Sequence, residues 1–207
     1  MNKKFELAIK HFIDGKYYNG FNYFSEYLNL QLNESKELQL ENLKKMSEKK
    51  PPNIIEIIKA ILEGNNGKSE VAVKITELFW ALKPVETTKK LIEDLENNQE
   101  KQNYKIAILN FLKKFDVYLI INKEEISIIE NKVKISLMEI IKNKSEMVEL
   151  RKNAICTLTK NPFFVFLNIK NDVIIILLKN ICNDVTENTI VRETAEKYFN
   201  KYNIKHL

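Results

Sequence analysis

The sequence predicts an all-α protein, an α-solenoid of helical hairpins with an N-terminal helical segment. Three observations carry this. The C-terminal third, residues 137–202, is one pattern written twice. Leu137-Met138-Glu139-Ile140-Ile141, a polar turn and Leu150-Arg151-Lys152-Asn153-Ala154-Ile155 are answered by Leu177-Leu178-Lys179-Asn180-Ile181-Cys182, a polar turn and Val191-Arg192-Glu193-Thr194-Ala195. Arg151 to Arg192 and Ala154 to Ala195 are each about 41 residues apart, the period of a two-helix repeat. Gly and Pro number only four each in 207 residues, so helix breakers are scarce. Elsewhere, apolar residues recur at helical spacing.

Residues 3–13 place Phe5, Ala8, Ile9 and Phe12 on one helical face, and Asp14-Gly15 ends that helix. Residues 16–30 form a second helix dense in aromatics: Tyr17, Tyr18, Phe21, Tyr23, Phe24 and Tyr27. These are too many for a single buried stripe, so Tyr17, Tyr18 and Tyr23 are candidates for an exposed aromatic surface. A third helix, 34–48, is capped by Asn33. Lys49-Lys50-Pro51-Pro52 excludes helix and divides a 1–50 segment from a 53–207 repeat stack, the two forming one continuous solenoid.

From Asn53 the helices alternate in pairs: 54–63 with 69–82, 85–96 with 101–115, 124–143 with 146–160, and 163–182 with 189–202. Ala72, Ala107, Ala154 and Ala195 mark equivalent points, where a small side chain lets a second helix approach its neighbour. Each pair has more apolar surface than it can bury alone, so stacking completes the core.

On these residues the last two units resemble HEAT-like (armadillo-type) helical repeats. The N-terminal phrase Glu6-Leu7-Ala8, Phe12, Gly15-Lys16-Tyr17, Phe21, Phe24 and Leu28 looks like one tetratricopeptide hairpin. The HEAT resemblance implies a ladder in which an acidic residue near the turn meets an arginine of a second helix. Asp184 and Arg192 occupy those places in the last unit; one unit earlier Arg151 is present, but Asn143 stands where an acid is expected. Some HEAT-like proteins of this size are DNA alkylation-repair glycosylases, with tryptophans and a catalytic aspartate. Here Trp80 has no Asp beside it and reads as a core residue.

No catalytic set is legible. Gly64-Asn65-Asn66-Gly67-Lys68-Ser69 imitates the end of a phosphate-binding loop, but Leu62 stands where the first glycine belongs, and the segment reads as a turn. His11 and His206 form no cluster, so neither metal nor cofactor is expected. Glu86, Glu93, Asp94 and Glu96 read as a solvated helix face. Cys156 and Cys182 read as small buried hydrophobes. The longest apolar run, Val173 to Leu178, is far short of the roughly 18 residues that cross a membrane. Charges interrupt the N-terminus where a signal peptide would be apolar, so a cytoplasmic location is expected.

The net charge is +5. It is unevenly placed: the second helices of the pairs sum to about +7 and the first to about −3. In HEAT repeats the second helices line the concave side, which implies a basic groove with Lys101, Lys105, Lys113, Lys114, Arg151 and Lys152 as its members. The expectation is a non-catalytic adaptor, assembly factor or inhibitor holding a protein partner with an acidic or amphipathic surface. The alternative is a nucleic-acid-binding solenoid that tracks phosphates along the same face. The oligomeric state is not legible.

Overall fold

A computed structural model of the chain describes residues 3–30, 54–65, 70–80, 82–97, 99–114, 123–160 and 172–203. Among them are ten helices and no strand. They are α1 (Lys3–Ile13), α2 (Tyr17–Leu30), α3 (Ile54–Asn65), α4 (Glu70–Trp80), α5 (Pro84–Glu96), α6 (Gln102–Lys114), α7 (Lys123–Lys142), α8 (Val148–Lys160), α9 (Asp172–Asn183) and α10 (Thr189–Asn203). The all-α expectation holds, with helix ends shifted by a few residues. The third helix expected over 34–48, the Lys49–Pro52 break and the start of the 163–182 helix lie outside the described residues.

Local chemistry sets several of these ends. Gly15 adopts φ +72°, a left-handed conformation that favours glycine, and Lys16 N–H reaches back to the His11 carbonyl at 2.8 Å. That closes α1 and turns the chain into α2, which packs along α1. Pro84 sits in the first turn of α5, where its missing N–H costs nothing, and Glu86 complements the helix N-terminus. At α10, Asn188 Oδ1 accepts the Ile190 N–H at 3.0 Å, a side-chain N-cap.

The helices pack as pairs, α3 with α4, α7 with α8 and α9 with α10, while α5 touches α6 only lightly. Later pairs meet through like members, α6 on α8 and α8 on α10, with α5 on α7, whereas the first two pairs meet chiefly through α3 on α6. The α1–α2 hairpin joins through α2, which packs on α3 and α4. One apolar cluster runs through the described helices from Ala8 to Tyr198. Ala107, Ala154 and Ala195 have no exposed surface, as expected of points of close approach between second helices. Beside them Thr157 of α8 donates its hydroxyl to the Leu109 carbonyl of α6 at 3.1 Å, so a polar bond also crosses this contact.

Candidate functional site

Among the described residues, three turns between helices carry the same polar pattern. After α5, α7 and α9 stand Asn97, Asn143 and Asp184. Each side chain accepts the backbone N–H two residues on: Gln99 at 3.0 Å, Ser145 at 3.1 Å and Thr186 at 2.9 Å. Three residues after each stands a glutamate, whose N–H donates to the carbonyl of the same Asn or Asp: Glu100 and Glu146 at 3.1 Å, Glu187 at 3.0 Å. Eight residues after each stands a cation in the first turns of the next helix: Lys105, Arg151 and Arg192. The unit is thus Asn/Asp, two residues, Glu, four residues, Lys/Arg, written three times.

In the last two pairs this geometry links a pair to the one before it. Arg151 donates from Nη1 and Nη2 to the two oxygens of Glu187 at 2.7 and 2.6 Å, a two-pronged ion pair. Its Nε and Nη2 also donate to the Ile141 carbonyl at 2.9 and 2.7 Å, closing the C-terminal end of α7. Both side chains are 3% exposed, so this is a buried pair whose donors and acceptors are matched. The guanidinium holds the Glu187 carboxyl below its ordinary range, helped by the Asn188 N–H. Alongside, Lys144 pairs with Asp184 at 2.5 Å, and with Thr186 it holds the Asp184 carboxyl down at about 2.

One pair earlier the same positions bring Lys105 to Glu146 at 3.9 Å. Lys105 has no exposed surface, and among the described residues its Nζ has no hydrogen-bond partner. An ammonium on a flexible stem does not supply the fork that Arg151 does. Earlier still, Glu100 reaches back to Lys59 of α3 at 2.5 Å, and Lys101 lies 3.9 Å from Glu63.

A second buried polar group ties α5 to α6. Tyr104 Oη donates to Asp94 Oδ2 at 2.9 Å, and Lys90 pairs with the other oxygen at 3.0 Å. Burial, then the Asp94 charge, pushes the Tyr104 hydroxyl far above its ordinary pKa, so it remains a donor. Lys59 lies 5.0 Å from the centre of the Tyr104 ring. Asp94, read as solvated with Glu86, Glu93 and Glu96, is instead 1% exposed. The signal was present: Thr87, Leu91 and Asp94 fall at i, i+4 and i+7, on the buried stripe.

The six expected groove residues are divided by this arrangement. Lys105 and Arg151 are buried and hold carboxylates; Lys152 pairs with Glu149 one turn before it at 3.2 Å; Lys101 is strongly exposed; Lys113 is half-buried. The Lys114 side chain lies outside what is described, as do those of Tyr17 and Tyr18. Tyr23 is half-buried and stacks on His11, with ring centres 5.2 Å apart. The expected acid–arginine contact also differs in its members. Asp184 meets Lys144, not Arg192, and the carboxylate that meets an arginine is Glu187, across to the preceding pair. Trp80 is buried and donates to Thr88 Oγ1 at 2.7 Å, as a core residue with a polar handle. Cys156 and Cys182 are free and half-buried. Among the described residues no His, Cys, Asp and Glu cluster could hold a metal, and no helix is long and apolar enough to cross a membrane.

Comparison with protein families, with curated proteins and with solved structures gives no match. The repeat therefore rests on the internal agreement of its three turns.

Proposed function

We propose that the chain is a non-catalytic binding protein, an α-solenoid of HEAT-like pairs that holds an acidic or amphipathic protein partner along its second helices. The observation that carries this reading is the use made of the buried charges. Asp94, Lys105, Arg151 and Glu187 each face a group on another element, and the contacts join helix to helix or helix to turn. Such charges build a rigid frame. The cations left to meet a partner are the exposed or half-exposed ones, Lys101, Lys113 and Lys152, with Lys114 beside them in sequence.

The nucleic-acid reading depends on the same basic face. It is weakened because Lys105 and Arg151 are internally neutralised. A fluorescence-anisotropy titration against single- and double-stranded DNA and RNA at several salt concentrations separates the two. The protein-partner reading expects no binding at low salt, together with capture of an acidic protein from native lysate that is lost in Lys101→Glu/Lys113→Glu. Micromolar binding with a salt slope of several phosphate contacts, lost in the same variant, would replace it with the alternative.

A further inference from the structure

Where α5 packs on α7, an open cavity of about 220 Å³ lies between the two helices. Lys89, Ile92, Glu93 and Glu96 of α5 line it, and stand at i, i+3, i+4 and i+7, on one face. Lys132 and Ile135 of α7 line the other side. Ile92 is nearly buried, whereas Ile135 is 61% exposed. Glu93 pairs with Lys90 one turn before it at 3.8 Å. Lys89, Glu96 and Lys132 form no ion pair or hydrogen bond among the described residues, unlike the matched charges of Arg151 and Asp94. The repeat sets the order of these groups. Both helices run into equivalent turns, at Asn97 and Asn143. Counted back from those turns, Lys132 stands eleven residues away and Lys89 eight, Ile135 eight and Ile92 five, Glu93 four and Glu96 one. At about 1.5 Å per residue, cations, isoleucines and acids follow one another at intervals of roughly one helical turn.

We propose that this cavity is a docking site, separate from the second-helix groove, for one amphipathic helix of a protein partner. That helix carries an acid, an apolar anchor and a base one turn apart, in that order from its N-terminus. The occupant follows from size and charge. The cavity is smaller than the roughly 300–1,000 Å³ of small-molecule sites and suits a single apolar side chain of a larger partner. A helix lying parallel to α5 sets its acid against Lys89 and Lys132, its anchor between Ile92 and Ile135, and its base against Glu93 and Glu96. That order also places the acid toward the helix's own N-terminus and the base toward its C-terminus, which stabilises an isolated helix. An antiparallel helix needs the opposite and less favourable order.

The probe is a pair of alanine-based helical peptides with one leucine each. In the first, a glutamate stands four residues before the leucine and a lysine four residues after it; in the second the two charges are exchanged. Each is titrated to about 1 mM into the full chain and followed by amide chemical shifts. The first peptide is expected to move the amides around Ile92 and Ile135 and to bind about tenfold more tightly than the second at low salt. Ile135→Asp, a change at an exposed position, is expected to bind neither. The charge exchange Lys89→Glu/Lys132→Glu/Glu93→Lys/Glu96→Lys is expected to bind the second peptide in preference to the first. The proposal is overturned if the first peptide moves none of these amides, if the two peptides bind equally, if Ile135→Asp binds as the unchanged chain does, or if the preference survives the charge exchange. It is also overturned if dilution of the protein alone moves the same amides, which would assign the cavity to a second copy of the chain.

Discussion

At the scale of single residues, Arg151 and Lys105 occupy the same place in successive turns but stand in different environments. Arg151 has its charge matched by a bidentate carboxylate and by the Ile141 carbonyl. Removing it strands Glu187 in a dry site, so Arg151→Met is expected to lower the unfolding free energy by about 3–5 kcal/mol. Lys105 is buried and, among the described residues, without a hydrogen bond, 3.9 Å from its carboxylate. Lys105→Met keeps the stem, removes a desolvated donor and is expected to change stability by less than about 1 kcal/mol, or to raise it. Urea denaturation of both variants checks the contrast; equal losses would mean that the two contacts are equivalent after all. The carboxyls give a pH signature. Glu187 and Asp184 are held below their unfolded values, near 4, by Arg151 and Lys144 respectively. A depressed carboxyl binds fewer protons folded than unfolded, so its contribution is complete above about pH 5 and is lost as the pH falls toward its folded value. For Asp184 that value is about 2. Glu187→Gln is therefore expected to lower stability at pH 7 and to flatten its decline as the pH falls below about 5, read from denaturation midpoints across the acid range.

At the scale of elements, the turn's first residue works by accepting a backbone N–H. Asn and Asp do this equally well, which is why the series Asn97, Asn143 and Asp184 is a true repeat. Asn143→Asp should therefore be nearly neutral, while Asn143→Ala should cost about 0.5–2 kcal/mol, in the range of a lost helix cap. A large loss in Asn143→Asp, measured by the same denaturation, would assign the position some other role. This is also where the sequence reading stopped short. The two arginines, the 41-residue period and the small alanines were legible, because hydrophobic pattern and spacing report them directly. Asn143 was misread because the acid was expected to carry charge, whereas its task is hydrogen bonding. Glu187 was passed over because a carboxylate inside a polar turn looks solvated until the next pair is placed on it. Asp94 stood on the buried stripe of α5, but its partner Tyr104 lies on another helix, so only its burial and not its hydrogen bond was legible.

At the scale of the whole molecule, contacts run between neighbouring elements and pairs; the α1–α2 hairpin reaches α3 and α4 through α2 and lies far along the chain from Arg151. Structures held by nearest-neighbour contacts open locally. Amide hydrogen exchange in Arg151→Met is expected to accelerate in α8, α9 and α10 while α1 to α3 keep their protection. A uniform loss across all helices would mean that the apolar cluster unfolds as one unit.

The turn has one length in all three occurrences, eight residues from Asn or Asp to the cation, whereas α5 spans 13 residues and α7 spans 20. The difference of seven is close to two full helical turns, so the added stretch brings its apolar face back to nearly the same direction. A single residue inserted within the turn would instead swing the cation by about 100° away from its glutamate. Insertions and deletions over the history of such a chain are thus free to accumulate in the leading helices by whole turns and are penalised within a span of nine residues. Kin of this protein would differ greatly in overall length while keeping those nine positions in step.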